Sequence, residues 1–148
     1  MQYTAEYFIE NLKMVPHREG GWCSTSSGTF GLDIPADQLP GYSGSRNGAS
    51  VIYYMLRKGE CSGWHTLLSD EVWIWQYGGS LEMSLGGNGE KPAVEEIKRI
   101  GLHFENGEQM QALVPAKSWQ TTKVLNGDFV LVSCIVSPAF HYDDFFLL

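Results

Sequence analysis

Near the start of the chain, the apolar residues Ala5, Phe8, Ile9 and Leu12 recur at i, i+3, i+4 and i+7, behind Thr4 and ahead of Pro16. That spacing predicts one short amphipathic helix within residues 1–16, with an N-cap and a stop. Beyond Gly48 the period changes. Short β-type runs separated by turn residues cover Ser50–Leu56, Glu71–Tyr77, Leu81–Leu85, Val94–Ile100, Gln109–Val114, Ser118–Val124 and Phe129–Val136, as in a β-sandwich or barrel. Within Val94–Ile100, Ile97 and Ile100 also fit helical spacing, so this run is the ambiguous one. Between helix and strands, Gly28–Gly48 is rich in Gly, Ser, Pro and Asp. It reads as a long surface loop, a length at which loops often serve as lids. Gly86-Gly87-Asn88-Gly89 lacks the Lys-Ser/Thr of a phosphate loop and precedes no helical pattern, so it reads as a hairpin turn.

The chain has 148 residues, 43% of them hydrophobic, enough for one domain with its own core. Ten Lys and Arg against seventeen Asp and Glu give a net charge of −7, which repels phosphate backbones and anionic membranes. Neither nucleic acid nor membrane is an expected partner. Cys23, Cys61 and Cys134 are odd in number and form no CxxC pair, which fits a reducing cytoplasm and marks no nucleophile. Glu6 and Glu10 interrupt the N-terminus where a signal peptide needs a basic flank and an apolar run, so a soluble, unprocessed chain is expected.

The chemistry-bearing segment runs from Gly59 through His65 and Glu71 to Gly78. It resembles the first cupin motif, with Gly59, His65, Glu71 and Gly78 in register and Leu67 in place of the second His. The second motif is expected at Pro115–Gln120, where Pro115 matches, Lys117 replaces a Gly and Gln120 replaces a His. Pro16–Trp22 (PHREGGW), Ser69–Trp73 (SDEVW) and the C-terminal stretch Val136–Phe145 narrow the resemblance to a cupin subfamily without an assigned activity, over nearly the whole chain. The resemblance implies an all-β double-stranded β-helix, or jelly-roll barrel, and a homodimer. Function is left open, because the fold hosts isomerases, oxygenases, decarboxylases and storage proteins.

Alternation along strands puts His65 and Leu67 on one face, and Glu71, Trp73, Trp75 and Tyr77 together on the next strand. If Glu71 points into the barrel, both tryptophans go with it, and the lumen becomes an aromatic box for a small-molecule ligand. The expected catalytic pair is His65 and Glu71, working as acid and base on a sugar-derived or carbonyl compound. Glu19, Tyr53, Trp73, Trp75, Trp119 and Gln120 are expected to line the pocket, with Tyr53, Tyr54 or Tyr77 as an opposite-face acid. No cofactor is expected. A divalent metal would have His65, Glu71 and Gln120 as ligands, and with Leu67 apolar the two-His triad of non-haem iron is not supplied.

Plainer readings stand beside these. His65 could be a hydrogen-bonded core histidine, Trp73 and Trp75 core aromatics, and His17–Gly21 a turn whose glycines supply positive φ. His141, Asp143 and Asp144 read as an edge segment with a solvated polar face, and His103 has no assigned role. Two further functions stay open: a non-catalytic ligand-binding or storage-like cupin, and a metal-dependent oxygenase or isomerase with a degenerate site.

Overall fold

In the computed structural model, which describes residues 2–24 and 28–148, Thr4 Oγ1 accepts the Tyr7 amide at 3.2 Å and opens helix α1, Ala5–Asn11. This satisfies one of the amides that a helix start leaves free. Ala5, Phe8, Ile9 and Leu12 turn together onto Met14, Met55, Phe129 and Leu131. The helix therefore covers the outer face of the sheet, as its period predicts.

Among the described residues eleven strands follow, with three short 3-10 turns between them: β1 (Val15–Pro16), β2 (Trp22–Ser24), β3 (Thr29–Ile34), β4 (Arg46–Arg57), β5 (Cys61–Leu67), β6 (Asp70–Leu85), β7 (Glu96–Ile100), β8 (Glu108–Gln109), β9 (Gln111–Val114), β10 (Gln120–Ser137) and β11 (Phe145–Leu147). The spine is the antiparallel pair β6 and β10, in register from Asp70↔Ser137 to Leu85↔Gln120. Each long strand serves both walls of a barrel. Towards Ser137, β10 pairs with β4, which carries β2 and β3, while β6 pairs with β9. Towards Gln120, β10 pairs with β5, which carries β11, while β6 pairs with β7. Tyr54, Leu56, Trp73, Leu81, Met83, Val130 and Val132 fill the space between the walls. Among the described residues, no helix is long and apolar enough to cross a membrane.

The four runs Glu71–Tyr77, Leu81–Leu85, Ser118–Val124 and Phe129–Val136 are thus two strands rather than four. The apparent turns between them are the place where both strands cross from one wall to the other, marked by register shifts between Val124 and Val130. Gly79 sits there against the Asn126 carbonyl with no room for a Cβ. Gly79→Ala should therefore push the two spine strands apart and cost about 3 kcal/mol, the upper end of ordinary overpacking. Urea unfolding checks this: an unchanged midpoint would show that the crossing tolerates the methyl group.

A second shift lies between Leu131 and Val132, which pair with Tyr77 and Trp75 and leave Gln76 as the extra residue. Such a bulge reverses the facing of the residues beyond it. Trp75 packs on the interior cluster, and Tyr77 on the helix-side cluster with Phe8 and Phe129. Simple alternation puts both on one face, and the bulge separates them.

The Gly28–Gly48 stretch is not a free loop. Thr29–Ile34 pairs with Arg46–Ser50, Leu39 is buried, and Tyr42 Oη reaches Leu68 O at 3.1 Å and Ser69 Oγ at 2.9 Å. Its Gly and polar residues serve an edge hairpin with one bulge, so composition pointed to a lid where the structure has an anchored hairpin. Val94–Ile100 resolves as a strand over Glu96–Ile100.

Candidate functional site

The site begins in the turn between β1 and β2. Gly20 has φ +106°, and a Cβ there would strike the Cys61 carbonyl, so the turn lies directly on β5. The Gly63 amide donates to Glu19 O at 2.5 Å. This docking brings the Glu19 carboxylate to the His65 ring, Oε2 to Nε2 3.0 Å. The two atoms are in contact with no donor in line on Glu19 Oε2, so the contact acts mainly through charge when His65 is protonated. On its other side, His65 Nδ1 lies 2.7 Å from Gly63 O. A carbonyl only accepts, so Nδ1 carries a proton. The Glu19 amide meets His17 Nδ1 at 3.1 Å. Here the ring nitrogen must accept, which leaves the proton of neutral His17 on Nε2.

Glu71, at the start of β6, completes the group. Its Oε1 accepts from Gln120 Nε2 at 2.9 Å, with both side chains buried. Gln120 is positioned by barrel closure, opposite His65 on β5 and Leu85 on β6. The buried Trp73 indole N–H has no aligned partner, yet it is near enough to favour the Glu71 anion. Glu19, His65, Glu71 and His17 face one cavity of about 330 Å³, walled by Cys23, Ile52, Leu67, Cys134, Val136, Phe140, Tyr142 and Phe145.

The charges are unevenly matched. Burial, and then the Glu19 carboxylate, push the Glu71 carboxyl up to about 7, against partial relief from His65 and Gln120. For His65, burial disfavours the cation, but Glu19 and then Glu71 outweigh it and raise its pKa. Burial lowers His17 despite Glu19. Burial also raises the Cys23 and Cys134 thiols, so neither is a thiolate at neutral pH.

Both Glu71 and His65 are raised in the folded state, so each contributes stability below its unfolded pKa that is lost as pH rises through the folded value. For Glu71, moving from 4.5 to about 7 is worth on the order of 3 kcal/mol at about 1.4 kcal/mol per unit. Wild-type stability should fall between about pH 5 and 8, and Glu71→Gln should flatten that fall. Thermal melts across this range decide it: parallel profiles for the two proteins would mean that Glu71 titrates normally.

The structure brings together His65, Glu71, Glu19 and Gln120, with Gln120 reaching the cavity only through Glu71. The other expected lining residues go elsewhere. Tyr53 packs in the helix-side cluster, because alternation on β4 turns it away from Tyr54. Trp73 is fully buried edge-on to Tyr54 in the interior cluster. Trp75 donates its indole to Gly79 O at 2.9 Å, and Trp119 donates to Gly89 O at 2.8 Å and packs on Phe146. The opposite-face tyrosines are also engaged: Tyr54 Oη donates to Gly20 O at 2.5 Å and Tyr77 Oη accepts the Tyr3 amide at 2.9 Å. The aromatic wall comes instead from the C-terminal segment, Phe140, Tyr142 and Phe145.

That segment is not a plain edge. Asp144 is buried and bidentate with Arg46, at 2.9 Å to Nε and 2.8 Å to Nη2; Asp143 is solvated as expected, whereas half-exposed His141 also lines the cavity. His17 and His141 are the pocket histidines that sequence reading places elsewhere, although His17 stands two residues before Glu19 in the same Gly-flanked turn.

The donor set suits a proton better than a divalent ion. His65 Nε2 faces Glu19, the Gln120 amide offers Glu71 a donor rather than an oxygen, and Leu67 lines the wall. Among the described residues no group of three or more His, Cys, Asp or Glu is arranged to hold a metal ion. Lys117, in the Gly position of the second motif, holds a left-handed φ of 68° and is exposed.

A family model described as "Cupin superfamily (DUF985)", Cupin_5, matches residues 6–148. Among solved structures, protein SO0799 from Shewanella oneidensis is 32% identical with a TM-score of 0.84, covering 99% of this chain and 85% of that one. A hypothetical protein from Leishmania major is 30% identical with a TM-score of 0.83, covering 99% and 88%. An oxalate decarboxylase from Bacillus subtilis matches at 16% identity and a TM-score of 0.57, covering 90% of this chain and 29% of that one, a likeness of fold alone. Among curated proteins none matches this sequence.

Proposed function

The chain belongs to the Cupin_5 (DUF985) family of the cupin superfamily, and we propose that its barrel is an acid–base site for isomerase- or epimerase-like chemistry on a small carbonyl compound of the sugar-derived kind. One observation carries this reading: Glu71, its carboxyl pushed up to about 7, and His65, its pKa raised by Glu19, face a single cavity. Pairs of titratable groups set apart by their environments are how one fold supplies both an acid and a base at pH 7.

Glu71 takes the proton from a carbon next to the carbonyl. Charge then develops on the carbonyl oxygen, where the Nε2–H of His17 is the donor, while His65, with both ring nitrogens engaged by Gly63 O and Glu19, offsets the charge of Glu19. Protonated Glu71 returns that proton to the neighbouring, former carbonyl carbon while the hydroxyl proton of the carbon that lost it passes to the former carbonyl oxygen, which completes an isomerisation without any redox partner; in an epimerisation Glu71 keeps its proton and water supplies one to the opposite face. The site holds no metal in this reading, and the homodimer implied by the sequence resemblance is carried forward as part of the same proposal.

Solvent deuterium exchange tests this without knowing the product. Proton NMR of aldoses, ketoses and related hydroxy-carbonyl compounds in D₂O with the protein should show wash-in at the carbon beside the carbonyl. Binding with no wash-in for any compound would replace this reading with the non-catalytic ligand-binding cupin.

A further inference from the structure

Among the described residues the cavity is lined by the carboxylates of Glu19 and Glu71, the imidazoles of His17, His65 and His141, and aromatic and apolar walls, with no side chain of Lys or Arg. The two nearby guanidinium groups are committed elsewhere. Arg46 is locked on Asp144, and Arg18, which does not line the cavity, stacks on Tyr142, 3.9 Å from its ring centroid. His65 compensates Glu19, with which it is in contact. Glu71, only 7% exposed, is left with a neutral amide as its hydrogen-bond donor. A buried carboxylate without a cationic partner is costly, and the cost falls if a ligand brings the missing charge.

The wall opposite supplies the complementary chemistry. Phe140, Tyr142 and Phe145 stand mutually edge to face, with centroids 4.9 to 6.2 Å apart, so their rings present differently oriented faces around one corner of the cavity. Positive groups already use these rings: Arg18 over Tyr142, and His65 with its ring 5.4 Å from that of Phe145. Ring faces attract cations through their quadrupole, most strongly where water is excluded, and aromatic corners backed by carboxylates are a known solution for ammonium groups.

We propose that the cavity selects small molecules bearing a positively charged nitrogen, with Glu71 as the counter-ion and Phe140, Tyr142 and Phe145 as the wall that holds the charged head. This rests on the reading of the barrel cavity as the binding site and narrows its ligand class to amine- or ammonium-bearing compounds. Anionic substrates such as sugar phosphates are disfavoured by the same charges. Since the bound cation stabilises ionised Glu71, binding at neutral pH also releases a proton.

Calorimetric titration with choline and with 3,3-dimethylbutan-1-ol, its neutral isostere, tests the charge preference directly. At pH 8 choline should bind about tenfold more tightly than the alcohol, within the range of a desolvated cation–π contact. The preference should shrink at pH 5.5. At pH 7 the heat should vary with the ionisation enthalpy of the buffer, reporting the released proton. Glu71→Gln should abolish that proton release and bring the two ligands within about twofold. Phe140→Leu should weaken choline selectively. Equal or tighter binding of the alcohol would overturn the cation preference while leaving the cavity reading intact. Failure of both probes to bind would overturn this proposal; deuterium wash-in with other compounds then decides the cavity reading separately.

Discussion

Glu71→Gln is expected to lower deuterium wash-in, and turnover of any substrate found by it, by about 10²–10⁴-fold, the usual contribution of a positioned general base. The substitution keeps the side-chain volume and can keep a hydrogen bond to Gln120, so KM should change far less than kcat. The same variant should be more stable than wild type above pH 7, where the wild-type carboxyl must ionise in a buried place. Loss of activity together with gain of stability is the signature of a group retained for chemistry rather than for packing. A variant that loses activity and stability in parallel would instead mark Glu71 as structural.

Arg46→Ala is expected to destabilise the protein by about 3 kcal/mol, because it leaves Asp144 as an occluded, unpaired carboxylate. The pair is shielded from water, with side-chain exposures of 6% and 3%. Beyond Ser137 it helps hold the C-terminal segment to β4, alongside the Ala139 amide on Asn47 O and the Phe140 amide on Ser50 Oγ. Phe140, Tyr142 and Phe145 depend on that anchor, so ligand affinity should fall along with stability. Replacing both partners, as in Arg46→Met with Asp144→Leu, should recover much of the stability, since an apolar pair has no unpaired charge to bury. Denaturant titration of the single and double variants gives the comparison, and equal losses for both would show that the charge pair is not what anchors the segment.

These two sites differ in how far the sequence disclosed them. His65 and Glu71 stood out because their spacing from Gly59 and Gly78 fits a known motif, and the structure places both on the cavity. Gln120 was found by motif position, although its role is to hold Glu71 rather than to line the pocket. The helix was legible because its period is local. The aromatic wall was not, because it depends on β11 returning to β5, with Phe145 opposite Leu67 and Leu147 opposite His65. Nothing in the alternation of Phe140 to Phe146 names the strand it will meet. The placing of Tyr77 failed for another reason: a single extra residue at Gln76 reverses the face, and a bulge leaves no mark on the hydrophobic pattern. Arg46 and Asp144 lie 98 residues apart, so only the fold could pair them.

The measurement that bears most directly on the acid–base site is the titration of the Glu71 carboxyl by carbon NMR, with the resonance assigned by its loss in Glu71→Gln. A midpoint near 7, moving down in Glu19→Gln as the neighbouring negative charge is removed, is the result expected from the geometry. A midpoint near the ordinary 4.5, indifferent to Glu19, would contradict it, because Glu71 would then be an ordinary carboxylate, too weak a base for the proton transfer assigned to it.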